Sequence, residues 1–354
     1  MIYDAIVVGA GIAGASTAYF LKKAGLSVLV LEKNTICSGG SNPAGAFLSP
    51  KISKPSPYKN YLNEAFLFST NFYKKNFPNI FYPCGLKKVP LDKDDIKKCK
   101  SYEPYIDFSW KKLDDGYFFK EAGFIKPLEL CKQLLKDIEV REQTQLDDIS
   151  KLTYKYLIFT TGCDKIPIDI PYIKTKKIAG YRYDVKFDGC EKLNFNTHKD
   201  LSISAYFNDC IAVGATHIKP KDLTDLKKQA EDDSFLLLEK AKKLQIMKNL
   251  KIIKSYIGFR NSTYDYFPIV GELIDEKATL KKYPYIKKGT KVPSQKYITH
   301  KNIYIHAALG SRGFIYAPYN AMLLTKLIVE NKEIDEKLSP VRLFQKWSKR
   351  SESI

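Results

Sequence analysis

The residues best suited to chemistry gather near the start of the chain. Gly9, Gly11 and Gly14 stand in the run Val8-Gly9-Ala10-Gly11-Ile12-Ala13-Gly14, and Glu32, followed by Lys33, closes the next apolar segment. This spacing suits a dinucleotide. The first glycine permits a tight turn, the second lets backbone approach a pyrophosphate, and the third lets a helix pack against a strand. N–H groups of a helix starting at Ile12 would face the phosphates, and the Glu32 carboxylate can accept both hydroxyls of an adenosine ribose.

A nicotinamide cofactor is served by the same opening, and two later loops favour a flavin instead. Ser38-Gly39-Gly40-Ser41-Asn42-Pro43-Ala44-Gly45 is built of small residues whose amides can run along a pyrophosphate toward a flavin ring. Leu309-Gly310-Ser311-Arg312-Gly313-Phe314 precedes a helix expected to begin near Pro318. The positive end of that helix would face the negative charge that a reduced flavin carries around N1 and its C2 carbonyl. Thr161-Gly162, at the end of another apolar strand, is the remaining expected contact. The cofactor expected is FAD, and no metal is expected.

Placing these loops requires a βαβ unit. The pattern predicts a buried strand over 2–8, a helix over 12–24 closed by Gly25, and a second buried strand over 27–31. Further helices are predicted over 63–75, 126–136, 224–243 and 317–329, and strands over 154–160 and 303–307. Alternating segments at 181–187 and 202–207 predict antiparallel strands. The expected fold class is therefore α/β plus β-rich. A Rossmann-like FAD-binding domain would be assembled from 1–81, 121–174 and 295–354. An antiparallel-sheet substrate domain would be inserted as 82–120 and 175–294.

Composition limits the function classes. The 354 residues carry 58 Lys and Arg against 39 Asp and Glu, a formal charge of +19. Only six of the 58 are Arg (Arg141, Arg182, Arg260, Arg312, Arg342, Arg350), so 52 are Lys. Such a charge is either a counterion-releasing footprint for nucleic acid or the lysine habit of an AT-rich genome. In that background an Arg is expected where a planar, bidentate contact to a carboxylate is needed. Seven scattered Cys without a CxxC pair, and four His without ligand spacing, argue against a disulfide framework or a zinc site. Reduced thiols point to the cytoplasm. The apolar run 5–21 is broken by glycines and lacks a basic flank, so no signal peptide, span or membrane contact is expected. Without an apolar interface helix, the chain is expected to be a monomer.

Taken together, Val7–Ala15 with Glu32, residues 38–50, 116–134 and 156–162, Gly258-Phe259-Arg260 through Asp265, Pro268 and Gly271, and residues 308–324 resemble the D-amino-acid oxidase/glycine oxidase superfamily of FAD enzymes. Within it, the chain is most similar to the FAD-dependent half of the bifunctional bacterial enzymes that modify the tRNA wobble uridine. The resemblance implies a glutathione-reductase-like FAD domain of the amino-acid-oxidase type. It implies oxidation of the secondary amine of 5-carboxymethylaminomethyl-(2-thio)uridine to 5-aminomethyl-(2-thio)uridine and glyoxylate, with tRNA as partner. Met1 directly precedes the first strand, so methylation is expected to come from a separate methyltransferase. The alternative is a glycine or D-amino-acid oxidase acting on free amino acids.

Chemistry of this kind leaves hydride transfer to the flavin and asks the protein for orientation. No side-chain acid or base is expected. Arg260 and Arg312 are the expected clamps for the substrate carboxylate, with Tyr181, Tyr264 and Tyr266 as pocket walls and Asp265 as a support for Arg260. His217, His300 and His306 are expected to pack or face solvent, and Cys37 to be a small packing residue.

Overall fold

The computed structural model describes residues 3–218, 235–290 and 292–349. Strands β1 (Ala5–Val8) and β2 (Val28–Leu31) are short, apolar and buried throughout, as central strands of a covered parallel sheet must be. Helix α1 (Ile12–Lys23) connects them. The chain turns out of it at Gly25, whose φ of 91° suits a residue without Cβ. A six-stranded sheet forms in the order Ile269–Ile274, Thr299–Ala307, Tyr156–Phe159, β1, β2, Glu139–Arg141. All its neighbours run parallel except the first pair. Gly9, Glu32, Thr160 and Ala308 therefore follow strand ends on one edge, where ligands of such sheets bind.

One face of this sheet is covered by α1 with the helices Pro57–Asn76 and Gly313–Glu330, and the other by a cluster containing Tyr172, Ile286, Tyr297 and Phe344. An eight-stranded sheet follows the order Lys251–Ser262, Lys176–Lys186, Ile211–Gly214, Ser202–Ile203, Asn196–His198, Leu86–Lys88, Gly116–Phe119, Trp110–Leu113. A three-stranded sheet of Phe47–Leu48, Gly123–Ile125 and Phe81–Tyr82 completes the β structure among the described residues.

Several elements differ from the sequence pattern. The helix expected from 63 begins at Pro57, because the Ser56 hydroxyl accepts the Lys59 amide at 3.1 Å and Pro57 needs no partner in a first turn. The helix expected from 317 begins at Gly313 and carries Pro318 inside it. Proline removes the bond to the Phe314 carbonyl, and the Tyr73 hydroxyl donates to that carbonyl at 2.8 Å instead. The strand expected over 202–207 is only Ser202–Ile203. Residues 235–244 are helical, while the rest of the helix expected from 224 lies outside the described residues. Segment Ile269–Ile274, grouped by sequence with the substrate lobe, pairs in the six-stranded sheet.

Candidate active site

Four loops converge on the edge where β1 and β2 end. Gly9 has a φ of 107°, and a Cβ there would lie 2.8 Å from the Thr160 carbonyl oxygen. A Cβ on Gly14 would sit 1.8 Å from the Gly9 carbonyl oxygen, so α1 can approach β1 only with glycine at that position. Thr160 locks the turn by donating its hydroxyl to the Val8 and Gly9 carbonyls at 2.8 and 3.0 Å. Glu32 is buried, and its carboxylate accepts the amides of Ala10 at 2.7 Å and Asn34 at 2.9 Å. Each oxygen keeps a further lone pair for a ligand hydroxyl. The Ser41 hydroxyl accepts the Ile12 amide at 3.0 Å, which brings the 38–45 loop onto the positive end of α1. From the other side, a Cβ on Gly313 would lie 3.4 Å from Ile12 Cγ2, so the N-termini of two helices meet at one place. Two adjacent positive helix ends, glycines that leave room for a backbone-bound anion, and a buried carboxylate suit a dinucleotide with a pyrophosphate at its centre.

Not every predicted residue of these loops faces outward. Ala10, Ile12, Ala13 and Phe314 are buried in the core, where their side chains pack and only backbone can serve a ligand. Ser38, Gly39, Gly40 and Ser311 are exposed, and Asn42, Ala44, Gly45 and Gly310 half-buried. Lys33 pairs with Asp164 at 2.8 Å, and Gly162 accepts the Asn261 side-chain amide at 2.7 Å, so both tie strand ends together. Cys37 is buried among core residues.

The strand Lys251–Ser262 runs along this cleft. A Cβ on Gly40 would strike the Phe259 carbonyl oxygen at 2.2 Å, one on Gly258 would meet Pro43 at 2.8 Å, and Ser262 bridges to Leu309. Arg260 lies between these contacts. One of its Nη groups donates to the Thr216 carbonyl at 3.2 Å, and the space for its guanidinium exists because position 180 is glycine. Burial pushes the Arg260 pKa down, and no carboxylate pairs with it among the described residues. Arg312 donates to the Ser49 carbonyl at 3.1 Å and likewise lacks a carboxylate partner there.

Two expectations change here. Asp265 does not support Arg260. It pairs with Arg342 at 3.1 and 3.3 Å, and Arg342 also holds the Phe267 carbonyl at 2.8 Å, fastening the 263–267 turn to the helix Pro340–Ser348. Tyr181 does not face the cleft. Strand alternation puts it opposite Arg182, in the apolar cluster with Val213 and Leu237. Tyr264 and Tyr266 are 62% and 61% exposed, and Tyr264 carries the Lys176 ammonium 4.3 Å above its ring.

Sequence reasoning missed Thr160, Asn261 and Arg182. Arg182 is buried, pairs with Asp184 at 3.2 Å, stacks on Tyr256 at 3.8 Å and donates to the Ala44 carbonyl at 2.5 Å, so it anchors the 38–45 loop. The rarity of Arg was the signal that could have found it. His306 is fully buried beside Thr17 (2.9 Å), and burial pushes its pKa down to about 3. His217 is pushed down by burial and by the charge of Arg260. His300 brings its ring within 4.8 Å of the Asp275 and Glu276 carboxylates, at the end of the sheet opposite the glycine loops.

The model of the family described as FAD dependent oxidoreductase matches residues 4–327. The chain belongs to this family. As an FAD dependent oxidoreductase of this type it uses FAD, which the glycine turn, Glu32 and the paired helix ends fit with their side chains as they stand. It is 29% identical to the "tRNA 5-methylaminomethyl-2-thiouridine biosynthesis bifunctional protein MnmC" of Campylobacter concisus, over 92% of this chain and 56% of that protein. The protein of the same name from a Marinomonas species is 24% identical, over 99% of this chain and 61% of that protein. The chain thus spans little more than half the length of these relatives. Glycine oxidase from Geobacillus kaustophilus has the same fold, with a TM-score of 0.69 over 96% of this chain and 97% of that one, at 17% identity. Fructosyl peptide oxidase gives a TM-score of 0.71 at 13% identity, over 96% of this chain and 93% of that one. The described residues of this FAD dependent oxidoreductase include no helix long and apolar enough to cross a membrane.

Proposed function

We propose that the chain oxidises the secondary amine of 5-carboxymethylaminomethyl-(2-thio)uridine at the tRNA wobble position, releasing glyoxylate and leaving 5-aminomethyl-(2-thio)uridine. The observation that carries the proposal is Arg260, a half-buried guanidinium with no carboxylate partner among the described residues, beside the flavin loops. Burying a lone cation is unfavourable unless an anion joins it. A substrate with a carboxylate next to its amine supplies that anion and is fixed in register by it. The two relatives named for 5-methylaminomethyl-2-thiouridine biosynthesis support the tRNA substrate.

FAD held by the glycine turn, Glu32 and the two helix ends would supply the hydride acceptor for the carbon between amine and carboxylate. The protein's part is orientation. Arg260 would hold the carboxylate, with Arg312 as the second cation on the same cleft. The helix ends at Ile12 and Gly313 would hold negative charge on the cofactor side. The oxidised carbon–nitrogen bond then takes up water and separates into amine and glyoxylate.

Glycine carries the same amine-carboxylate unit, and the likeness to glycine oxidase makes it the competing substrate. The test is anaerobic mixing of the yellow holoenzyme with tRNA carrying the carboxymethylaminomethyl group, and in parallel with millimolar glycine. Rapid bleaching by the tRNA, with aminomethyl-uridine in its digest, is the expected result. Bleaching by glycine alone would overturn the proposal.

A further inference from the structure

The cleft floor carries more positive charge than one carboxylate can neutralise. The most enclosed cations have their own acids: Lys59 with Asp107 at 2.7 Å, Arg182 with Asp184 at 3.2 Å, Arg342 with Asp265 at 3.1 Å. Lys51, Lys88 and Arg312 are half-buried and have no carboxylate partner among the described residues. Their placement is fixed by the fold. Arg312 holds the Ser49 carbonyl, and two residues on, Asn63 clasps the backbone of Lys51 at 2.8 and 3.2 Å. Lys88 is in parallel register with His198, so both side chains leave the same sheet face. His198 is held by Ser202 at 2.9 Å.

These groups feel one another. Burial, then Arg312 and Lys88, lowers the pKa of the Lys51 ammonium. Burial, then Lys88 and Arg312, pushes His198 down to about 4. The acids that act on His198 in the opposite sense are engaged elsewhere. Asp200 pairs with Lys240 at 2.5 Å, and Asp95 accepts the Leu91 amide at 3.0 Å.

Distance separates this cluster from Arg260. Four strand spacings lie between the strand of Arg260 and that of His198, about 19 Å at the usual spacing. A free amino acid cannot touch both ends. A nucleotide within a chain, with its base arm at Arg260 and its backbone alongside, is long enough to do so. Lysines serve phosphate as point charges, whereas the planar guanidinium suits the carboxylate.

We infer that Lys51 and Lys88, with Arg312 between them and Arg260, form a subsite for the phosphodiester backbone of the RNA substrate. The inference rests on the tRNA substrate proposed for the reaction, but its test needs no turnover. The holoenzyme is titrated into a labelled 17-nucleotide anticodon stem-loop RNA with unmodified uridine at the wobble position, at several salt concentrations. Replacing both lysines (K51Q/K88Q) is expected to weaken binding at least ten-fold and to flatten the slope of log Kd against log salt by about 0.7 for each phosphate no longer neutralised. The K51R/K88R protein should bind as the parent does. Removing two exposed charges from the last turn of α1 (K22Q/K23Q) should leave the slope alone. Parental affinity and slope in K51Q/K88Q, or an equal weakening in K22Q/K23Q, would overturn the subsite. Should K51Q/K88Q fail to retain flavin, K88Q alone carries the test with half the slope change. Loss of RNA binding as expected, in an enzyme that the modified tRNA does not bleach, would support the subsite and sink the reaction.

Discussion

Arg260 shows how much a single residue type can carry. Its donors are only partly used by the Thr216 carbonyl, and burial already disfavours its charge. A carboxylate that meets it gains a charge-assisted pair of hydrogen bonds, on the order of 1.5–3 kcal/mol. Replacing it with Gln should therefore lower kcat/KM for the carboxylate substrate about 100-fold while the 450 nm flavin band persists. Arg260→Lys should recover only part of that, because an ammonium cannot engage both oxygens in one plane. Anaerobic stopped-flow reduction reads both values, and a change within two-fold for R260Q would remove Arg260 from the substrate. The glycine turn and the carboxylate that closes the second strand were legible in the sequence because each answers a local demand, a tight turn, a close approach of helix to strand, or an acceptor for the loop amide. The partners of Arg342 and Arg182 were not, since Asp265 and Ala44 reach them only through tertiary packing. Tyr181 was misplaced by one step of strand alternation, which decides the face and which a tyrosine does not reveal.

Between elements, the helix Gly313–Glu330 is the one whose start is proposed to meet the cofactor, and its sequence signal misleads. Pro318 reads as a first-turn proline, yet the helix begins five residues earlier. What makes the longer helix possible comes from Pro57–Asn76. Its Tyr73 hydroxyl donates to the Phe314 carbonyl that Pro318 cannot serve, and its Ser69 hydroxyl donates to the next carbonyl, that of Ile315, at 2.6 Å. Local pattern holds no record of such a donor from another helix. Tyr73 is fully buried, so Tyr73→Phe leaves the Phe314 carbonyl unpaired in an apolar core. The expected cost is about 1–3 kcal/mol in urea unfolding of the holoenzyme, without a change in m-value. Because the same turn belongs to the proposed cofactor site, flavin affinity should fall with it. Unchanged stability in Y73F would mean that the carbonyl is satisfied in some other way. The βαβ unit, by contrast, was legible within a few residues, since burial on both faces and glycine punctuation are written in the segment itself.

For the molecule as a whole, acid should be the weak side, and a buried imidazole contributes to this before the carboxylates do. His306, on the strand Thr299–Ala307, is fully buried against α1, with Nδ1 beside Thr17 and no partner for Nε2 among the described residues. Burial pushes its pKa down to about 3, so in the folded protein it stays neutral where the unfolded chain has begun to protonate, near pH 6.5. The unfolded state then binds the additional proton, and stability falls as pH drops below about 6.5. The contribution is intact above that value and lessens steadily toward the folded pKa. Between pH 7.5 and 5 His306 alone should remove about 2 kcal/mol. His198, pushed down to about 4 by burial and its cationic neighbours, acts in the same direction, with a smaller share because it is only partly enclosed. Asp265 does not confuse this window. Burial would raise its pKa, but Arg342 outweighs that and holds it below the usual value, so its stabilisation is lost only below about pH 4. The formal charge of +19 grows as carboxylates protonate and adds repulsion at that lower end. Urea midpoints of the holoenzyme at pH 7.5 and 5 should therefore differ clearly, and His306→Asn, which cannot titrate, should narrow the gap even if it lowers both values. An unchanged gap in H306N would place the acid sensitivity in the surface charge rather than in the core.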